Sequence, residues 1–582
     1  MKISTRIYLR LLPTQMMLAV IGTINSIIDG AIAGRYLSAE VLGATGMYFS
    51  IVCMLNAIGN ILLGGTSICC GNYLGRSNIE RANGVFSLNI TATILVGILA
   101  SVLSLLFVPW LARFFGLSVF EEEALLLYAQ GYVYGIVPML LVRQLTLFMQ
   151  LGQQKHRELL GILGMILANL IFDVLFIIVF ELGAWGLAFA TSLANFVYLL
   201  ILLPGFFSRK AQFHFSLRSV HLRELFDILK IGFPGGIAVF CNAFATICVN
   251  GIMVEQLGHY ALCVVSAFYM VSEFFLAYSI GNSSVVRMIS SIYIGEENRG
   301  ELRNLARFVL TRVFPGSFLV GLLIIVLAEP LSAIFFVDRS SASFLMCRQF
   351  FIAYGFCVPF TLLCSTFKRY LHAKGQGLFV TLFSVYEGFL GIVLITAILT
   401  PALGPLGICL AYPLSFFSSV LILILYVMFR NRRIPRNADE WMLLDSSFGV
   451  RPGDQLCLEL KTSDDVVQAS ERAHAFCRKH GISARKSYHL ALCLEEMAYN
   501  IIKHGFQADG KENNLNITVI YKDEKLLLRI KDDCRPFNPK ERAGMVTNEN
   551  MLSNIGIRLV SQFAEEMSYQ NMMGLNVLTI RI

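Results

Sequence analysis

Charge is what this sequence has least of. Only 15% of its 582 residues are Asp, Glu, Lys or Arg, against roughly 25% in a soluble domain. That shortage excludes a chain that is soluble along its whole length. The 14 cysteines contain no C-x-x-C pair, and most stand in apolar runs. No zinc site or disulfide framework can be read from them, and small buried hydrophobes are the expected use. There is no G-x-x-x-x-G-K-S/T loop, which removes an ABC-type motor. No small-residue cleavage site follows "MKISTRIYLRLLPTQMMLAV", so this run is expected to remain as a first span. No nucleic-acid partner is expected.

What is present is oil. The chain is 56% hydrophobic, with a mean hydropathy of +0.65. A membrane-crossing helix needs about 20 apolar residues, and twelve such runs can be counted between residues 11 and 429. Basic residues cluster in alternate loops: Lys2, Arg6 and Arg10 before the first span, Arg76 and Arg81 after the second, Lys155 and Arg157 after the fourth. The series continues through Arg299, Arg303, Lys368, Arg369 and Lys374 to "RNRRIPR" after the last span. This asymmetry predicts a multi-pass protein of the cell membrane with both termini in the cytoplasm and the lipid bilayer as its first partner.

An internal repeat runs through the twelve spans. Pro13 and Pro234 are 221 residues apart, as are Asp29 and Asn250, Pro138 and Pro359, and Gly186 and Gly407. "NYLGRSNIERA" and "IYIGEENRGEL" echo each other one residue out of step. Six spans per half make two lobes related by an axis along the membrane normal, with a transport site in or between them. The early proline, "IIDGAIAGRYLSAEVLGATG" and "GNYLGRSNIERANG" resemble the multidrug and toxic compound extrusion (MATE) family of cation antiporters. The resemblance covers about residues 1–430, with an N-lobe at 1–208 and a C-lobe at 225–430.

Ionisable groups inside spans are functional candidates because burying them costs about 2.5–3.5 kcal/mol each on insertion scales. Asp29 and Asp173 are the sharpest, and Asn169 lies one turn before Asp173 on the same helix face. The resemblance implies that Asp29, Asn169 and Asp173 form an N-lobe site for the coupling ion, H+ or Na+. In the C-lobe, Asn250 stands where the repeat puts an Asp in the N-lobe, and Asn242 stands where some relatives carry an acid. Glu273 and Glu387 remain as intramembrane acids, either contacting a small cationic substrate or pairing with Arg287 or another internal base.

After residue 430 the composition changes. Residues 431–454 read as a basic, proline-containing linker, and 455–582 as an α+β sandwich with helices on one face of a mixed sheet. "LCLELKT" reads as a strand, then helices 464–480 and 484–504, the second stopped by Gly505. Two antiparallel strands follow, turning at Asp523-Glu524. "NIGIRLVSQFAEEMSY" reads as a helix and "LNVLTIRI" as the last strand. On helix 484–504, Leu490, Leu494, Met497 and Ile501 form an apolar stripe, with His489, Glu496, Asn500 and Lys503 on a polar one. That polar stripe suits a nucleotide: an Asn oxygen for Mg2+, and a Glu one turn earlier to polarise a hydroxyl or water.

Three blocks occur in order, "EMAYNIIKHGF", "RIKDDCRPFNP" and "NIGIRLV". Together they resemble the GHKL ATPase superfamily, most closely the anti-sigma-factor serine kinases, over about 455–582. The resemblance implies ATP with Mg2+ as cofactors, Glu496 as catalytic base and Asn500 as metal ligand. It further implies Asp532 on the adenine amino group, Phe537 beyond the adenine pocket and Gly556 at the lid over the phosphates, with Lys503 on the nucleotide side of the helix. Cys534, Ser553 and Asn554 replace glycines of the family pattern, and glycine permits backbone geometries that these residues adopt less readily. Nucleotide binding and phosphoryl transfer are therefore separate expectations. No phosphoacceptor-His dimerisation helix precedes the domain, which argues against an ordinary histidine kinase.

The leading expectation is an antiporter exporting small organic cations or drugs, regulated by the ATP-binding domain. The alternative is a membrane sensor controlling a serine-kinase-like domain that acts on a cytosolic anti-sigma-antagonist-like protein. A lipid-linked sugar flippase, a third reading, would want a more basic cavity.

Overall fold

The computed structural model describes residues 3–37, 39–115, 119–152, 155–208, 211–258, 260–506, 513–539 and 555–582. Twelve long helices come first: α1 (Ile3–Tyr36), α2 (Ala39–Gly75), α3 (Ile79–Phe115), α4 (Val119–Leu151), α5 (Lys155–Asp173) and α6 (Gly183–Leu202), then α7 (Leu222–Leu257), α8 (Tyr260–Gly295), α9 (Arg299–Phe335), α10 (Ala342–Ala373), α11 (Gly377–Leu403) and α12 (Pro405–Asn431). Among the described residues eleven helices are long and apolar enough to cross a membrane. Such runs fold as helices because lipid offers no partner for the backbone, which must satisfy itself. α5 does not end at Asp173 but passes into a π-helical turn, Val174–Val179. Turns of this kind often mark functional positions.

The repeat is visible in backbone detail. Ser77 after α2 has φ 59° and Glu297 after α8 has φ 53°. In the first loop Ser77 N donates to Leu74 O and Asn78 N to Tyr73 O; in the second Glu297 N donates to Ile294 O and Asn298 N to Tyr293 O. Gly183 and Gly404, 221 residues apart, take φ 58° and 59°. Each lobe holds six of the long helices.

The lobes meet along α2 with α7, α2 with α8 and α1 with α8. Glycine makes the closest approaches possible. A Cβ on Gly75 would stand 2.2 Å from the Ile292 carbonyl oxygen, and one on Gly295 2.3 Å from that of Asn72. One on Gly65 would stand 1.9 Å from the Ile228 carbonyl oxygen. These contacts lie in the halves of α2, α7 and α8 nearest the C-terminal domain.

Beyond the short helix α13 (Ala438–Trp441), the C-terminal domain contains β1 (Gln455–Leu460), α14 (Ser463–Lys479), α15 (Ala484–Asn500), β2 (Leu515–Lys522), β3 (Lys525–Asp532), α16 (Ile555–Phe563), β4 (Glu566–Met572) and β5 (Leu575–Arg581). Thr462 and Asp465 close a capping box on α14, which fixes where that helix starts. Asp523 and Glu524 turn the β2–β3 hairpin with φ 50° and 59°, the signature of the turn whose twist suits a two-residue hairpin.

Three sequence expectations are corrected. The sheet is not mixed: its order is β1-β2-β3-β5-β4 and every described pairing is antiparallel. The helix expected over "NIGIRLVSQFAEEMSY" stops at Phe563, and its second half becomes β4. Met567 and Tyr569 pack in the domain core while Ser568 and Gln570 turn the other way, a period of two that the polar residues had hidden. The helix expected to run to 504 ends at Asn500 and gives way to a π-helical turn, Ile501–Gly505.

The sheet has two working faces. Leu526, Leu528 and Ile530 of β3 pack on the helical layer with Leu490, Leu494 and Met497. Arg529 and Lys531 point the other way, onto the loop between α8 and α9. There Glu296, 6% exposed, accepts from Lys531 Nζ at 2.7 and 2.8 Å and lies 3.6 Å from Arg529. Burial pushes the Glu296 carboxyl up, but the two cations outweigh it and hold it below the usual range. The homologous loop of the N-lobe is gripped as well. Gln570 Nε2 donates to Leu74 O at 2.9 Å, Ser77 Oγ lies 3.1 Å from Thr579 Oγ1, and Ser568 Oγ donates to Ser77 O at 3.2 Å. Met573 N donates to Leu151 O at 2.9 Å, Arg10 donates to Gly574 O at 3.1 Å, and Arg6 pairs with Asp533.

Glu296→Gln leaves Lys531 and Arg529 buried without their counter-charge, at a cost of about 3–5 kcal/mol. The expected result is faster proteolysis in segment 431–454 as the domain undocks. Since the carboxyl is held low, the wild-type contact persists above the ordinary Glu pKa and weakens only as pH falls below it. Protease sensitivity should follow that acid limb in wild type, and not in Glu296→Gln.

Candidate functional site

The structure brings Asp29, Asn169 and Asp173 together inside the N-lobe. Asp29 comes from α1, Asn169 and Asp173 from α5, and the helix spacing sets the last two one above the other. Asn169 Nδ2 donates to Asp173 Oδ2 at 3.0 Å, Thr191 of α6 donates to Asp29 Oδ2 at 3.2 Å, and the two carboxyls reach each other directly. Asn169 and Asp173 are both fully buried. Among the described residues no hydrogen-bond donor reaches Asp29 Oδ1, Asn169 Oδ1 or Asp173 Oδ1. Three buried acceptor oxygens at one place form an all-oxygen donor set, which fits a proton or a hard cation. Thr191, and Tyr128 within electrostatic reach of both acids, were missed in the sequence. The available signal was polar Thr191 and Asn195, one turn apart within the apolar α6.

The C-lobe is arranged differently. Glu387 is paired with Lys368 rather than Arg287, and Arg369 stands within electrostatic reach of it. The helix carrying Lys368 and Arg369 continues to Ala373, past the end of the tenth apolar run. Glu273 of α8 is exposed and lies near Tyr269 and Tyr354. Among the described residues Asn250 Oδ1 is buried without a partner, and Asn242 packs against Gly388.

In the C-terminal domain, α15 presents Glu496 and Asn500, both half-buried, beside the start of α16. A Cβ on Gly556 would stand 1.9 Å from Glu496 Oε2, so this position has room for the carboxylate only because it is glycine. Asp532 ends β3, where its Oδ1 accepts from Asn576 Nδ2 at 2.7 Å and from Cys534 N at 3.0 Å. Burial pushes its carboxyl up to about 6, against the pull of those donors. Phe537 N donates to Tyr569 Oη at 3.0 Å, and the residue is 37% exposed. Cys534 is buried, with Sγ against Gly505, so its side chain fills the floor rather than the crevice. Lys503 is exposed and leans over the Tyr499 ring at 5.6 Å. Ser553 and Asn554 lie outside the described residues. The glycine cradle at Glu496 and the buried acceptor Asp532 fit a nucleotide. Among the described residues no three His, Cys, Asp or Glu side chains converge, so a metal here would rest on Asn500 and on oxygens brought by the nucleotide.

Comparison with known proteins agrees with this division. The MatE family model matches residues 16–151 and 234–396, a little over half of the chain. A model described as "Histidine kinase-like ATPase domain" matches 461–582. The Bacillus subtilis (strain 168) protein named "Probable multidrug resistance protein YoeA" is 22% identical over 422 residues, 70% of this chain and 90% of its own. "Multidrug export protein MepA" of Staphylococcus aureus (strain NCTC 8325 / PS 47) is 21% identical over 390 residues, 63% and 82% of the two chains. A crystal structure of a MATE protein in complex with MaL6 superposes with a TM-score of 0.67 at 18% identity, covering 73% of this chain and 96% of that one.

Gly556→Ala should push Glu496 aside, since its Cβ would overlap the carboxylate. The expected outcome is about a tenfold loss in affinity for a fluorescent ATP analogue, with the melting of the full-length protein little changed. Unchanged affinity would remove the Glu496–Gly556 contact from the crevice.

Proposed function

The chain belongs to the MatE family and ends in a histidine kinase-like ATPase domain, and on that premise we propose a multidrug efflux antiporter of the plasma membrane. It exports small organic cations against an inward flow of H+ or Na+, and ATP bound in the cytoplasmic C-terminal domain regulates it. The Asp29–Asn169–Asp173 cluster carries the coupling ion. Two carboxyls in contact cannot both be charged without a counter-ion, so loading one ion or proton changes the charge that the cavity offers to a cationic substrate. Glu273 is the C-lobe acid left for that substrate, because Glu387 is engaged by Lys368.

The observation that carries the regulatory reading is the sheet's grip on both lobes. Gln570, Ser568 and Thr579 hold the loop after α2, while Lys531, Arg529 and Lys522 hold the loop after α8. Alternating access requires the lobes to part at this end, so the docked domain stabilises the state closed toward it. Asp533, next to the adenine-side Asp532, is paired with Arg6 of α1, which sets the nucleotide crevice beside the first transmembrane helix. Mg2+, when bound, would supply charge neutralisation for the phosphates. Asn500 would ligate the ion, Asp532 would accept from the adenine amino group, and Glu496 would take the proton from a water or hydroxyl that attacks the terminal phosphorus as ADP leaves.

The sensor reading keeps one specific support: the helical layer bearing Glu496 lies on the side of the sheet away from the membrane part. A cytosolic anti-sigma-antagonist-like partner would approach that layer. Transfer of labelled γ-phosphate to such a protein, lost in Glu496→Gln, would favour it over simple regulation.

Transport is tested by uptake of ethidium into proteoliposomes under an imposed pH or sodium gradient. Asp29→Asn with Asp173→Asn should abolish the gradient-driven component; unchanged flux sinks the coupling assignment. ATP should alter the wild-type rate and leave Asn500→Ala unaffected. Because Asp532 titrates near pH 6, ATP binding to the full chain should hold above that pH and weaken about tenfold by pH 5. Asp532→Asn should flatten this dependence, measured by analogue fluorescence.

A further inference from the structure

A cavity of about 610 Å3 lies in neither site. It is set among α8, α9, α10 and α12 at the end of the C-lobe nearest the C-terminal domain, and Trp441 of α13 and Met442 just after it line its floor. Its walls are apolar, Ala306, Leu423 and Val427 among them, and Arg436 stands at its lower edge. Such a volume is in the ordinary range of ligand pockets.

The internal repeat supplies a control. The offset of 220 residues at the loops sets Phe86 opposite Ala306, and the offset of 221 sets Phe206 opposite Val427. In the N-lobe the corresponding crevice is plugged. Phe86 stacks on Phe206 at 5.4 Å, meets Phe148 edge-on at 4.7 Å and meets Phe213, from the chain after α6, at 5.8 Å. On the far side of that cluster, beside Phe148, Phe206 and Phe213, a void of about 10 Å3 is found. The fold therefore does not require the cavity; the C-lobe is open because it carries Ala306 and Val427 where the N-lobe carries two phenylalanines.

We infer that this cavity holds an acyl chain of an anionic phospholipid from the adjacent leaflet. Val420 and Val427 of α12 line it, and the helix ends at Asn431. Eleven residues from Val420 to Asn431 rise about 16 Å, close to half of a bilayer core of about 30 Å. Leu310, on the α9 wall, lines the cavity and is 56% exposed, as an opening toward surrounding acyl chains requires. The charge at the lower edge selects the headgroup. Arg433 is tied to Glu440, and Arg299 and Arg303 are tied to Asp439; Arg436 donates its backbone N–H to Glu440 Oε2 at 2.8 Å and shares that carboxylate's field, whereas Arg430 and Arg432 have no ion-pair partner among the described residues. Those arginines lie where a phosphate would stand once its chain enters above α13. This site is independent of the transport reading.

Trp441 reports on it directly. With Trp110→Phe and Trp185→Phe, the full-length protein keeps Trp441 as its single tryptophan. In phosphatidylcholine vesicles, brominated-chain phosphatidylglycerol added at small mole fraction should quench Trp441 in a saturable manner. Unbrominated phosphatidylglycerol should reverse the quenching, and phosphatidylcholine should not. Ala306→Phe and Val427→Phe, which copy the N-lobe plug, should each abolish the saturable part, and Arg436→Gln should weaken it about fivefold. Quenching that rises in proportion to bromolipid and is the same in the plugged variants would overturn the site. Reversal by ethidium instead of phosphatidylglycerol would also overturn it, making the cavity a drug subsite. Should neither plugged variant fold, native mass spectrometry of the wild type decides: retention of one phosphatidylglycerol supports the site, and none retained overturns it.

Discussion

The molecule hinges on a place where no side chain fits. Gly75 and Gly295 bring the ends of α2 and α8 so close that a single added carbon would overlap the opposing backbone. That contact closes the two lobes at one end, and the next residue, Glu296, carries the closure into the C-terminal domain through Lys531 and Arg529. A buried carboxylate with two buried cations is a stringent arrangement. It is tolerable when all three groups are in place and costly when one is missing. The docking is therefore specific in geometry, and a change at the sheet is felt directly at the seam between the lobes.

The same electrostatic reasoning separates the two lobes. The N-lobe buries two carboxyls against each other, and among the described residues no cation pairs with them and no donor reaches three of the cluster's acceptor oxygens. The C-lobe buries Glu387 with Lys368 and adds Arg287 and Arg369 nearby. A repeat that keeps its glycines, prolines and loop geometry has thus diverged in its charges. Backbone positions such as Gly183 and Gly404 are needed by both halves for the same turn, whereas nothing in the turn geometry ties the buried charges of one half to those of the other.

Much of the architecture was legible beforehand because membrane helices follow a rule that acts locally: about 20 apolar residues in a row must satisfy their own backbone. The 221-residue offset was legible for the same reason, being carried by glycine and proline positions. The apolar stripe of α15 was readable from its period, and Leu490, Leu494 and Met497 are in the core. β4 was not readable. "EEMSYQN" turns polar residues toward what looks like solvent when the domain is taken alone, but those residues are partners for Leu74 and Ser77. Glu496, Asn500 and Asp532 could be picked out by their blocks, while Asn576, Tyr569 and Thr191 could not. Each of these three meets its partner only through strand pairing or helix packing.

The sequence by itself determined the class of the molecule: a two-lobe membrane part with a basic linker and a nucleotide-type domain. Hydrophobic run length, glycine and proline spacing and short ordered blocks are local properties of the chain. Only the tertiary structure decided that the sheet's second face is buried on both lobes at once, that Glu387 is engaged by Lys368, and that the C-lobe keeps a cavity which phenylalanines fill in the N-lobe. Each of these depends on which side chains from distant segments meet. Burial and pairing energies belong to those meetings, and no single stretch of sequence contains them.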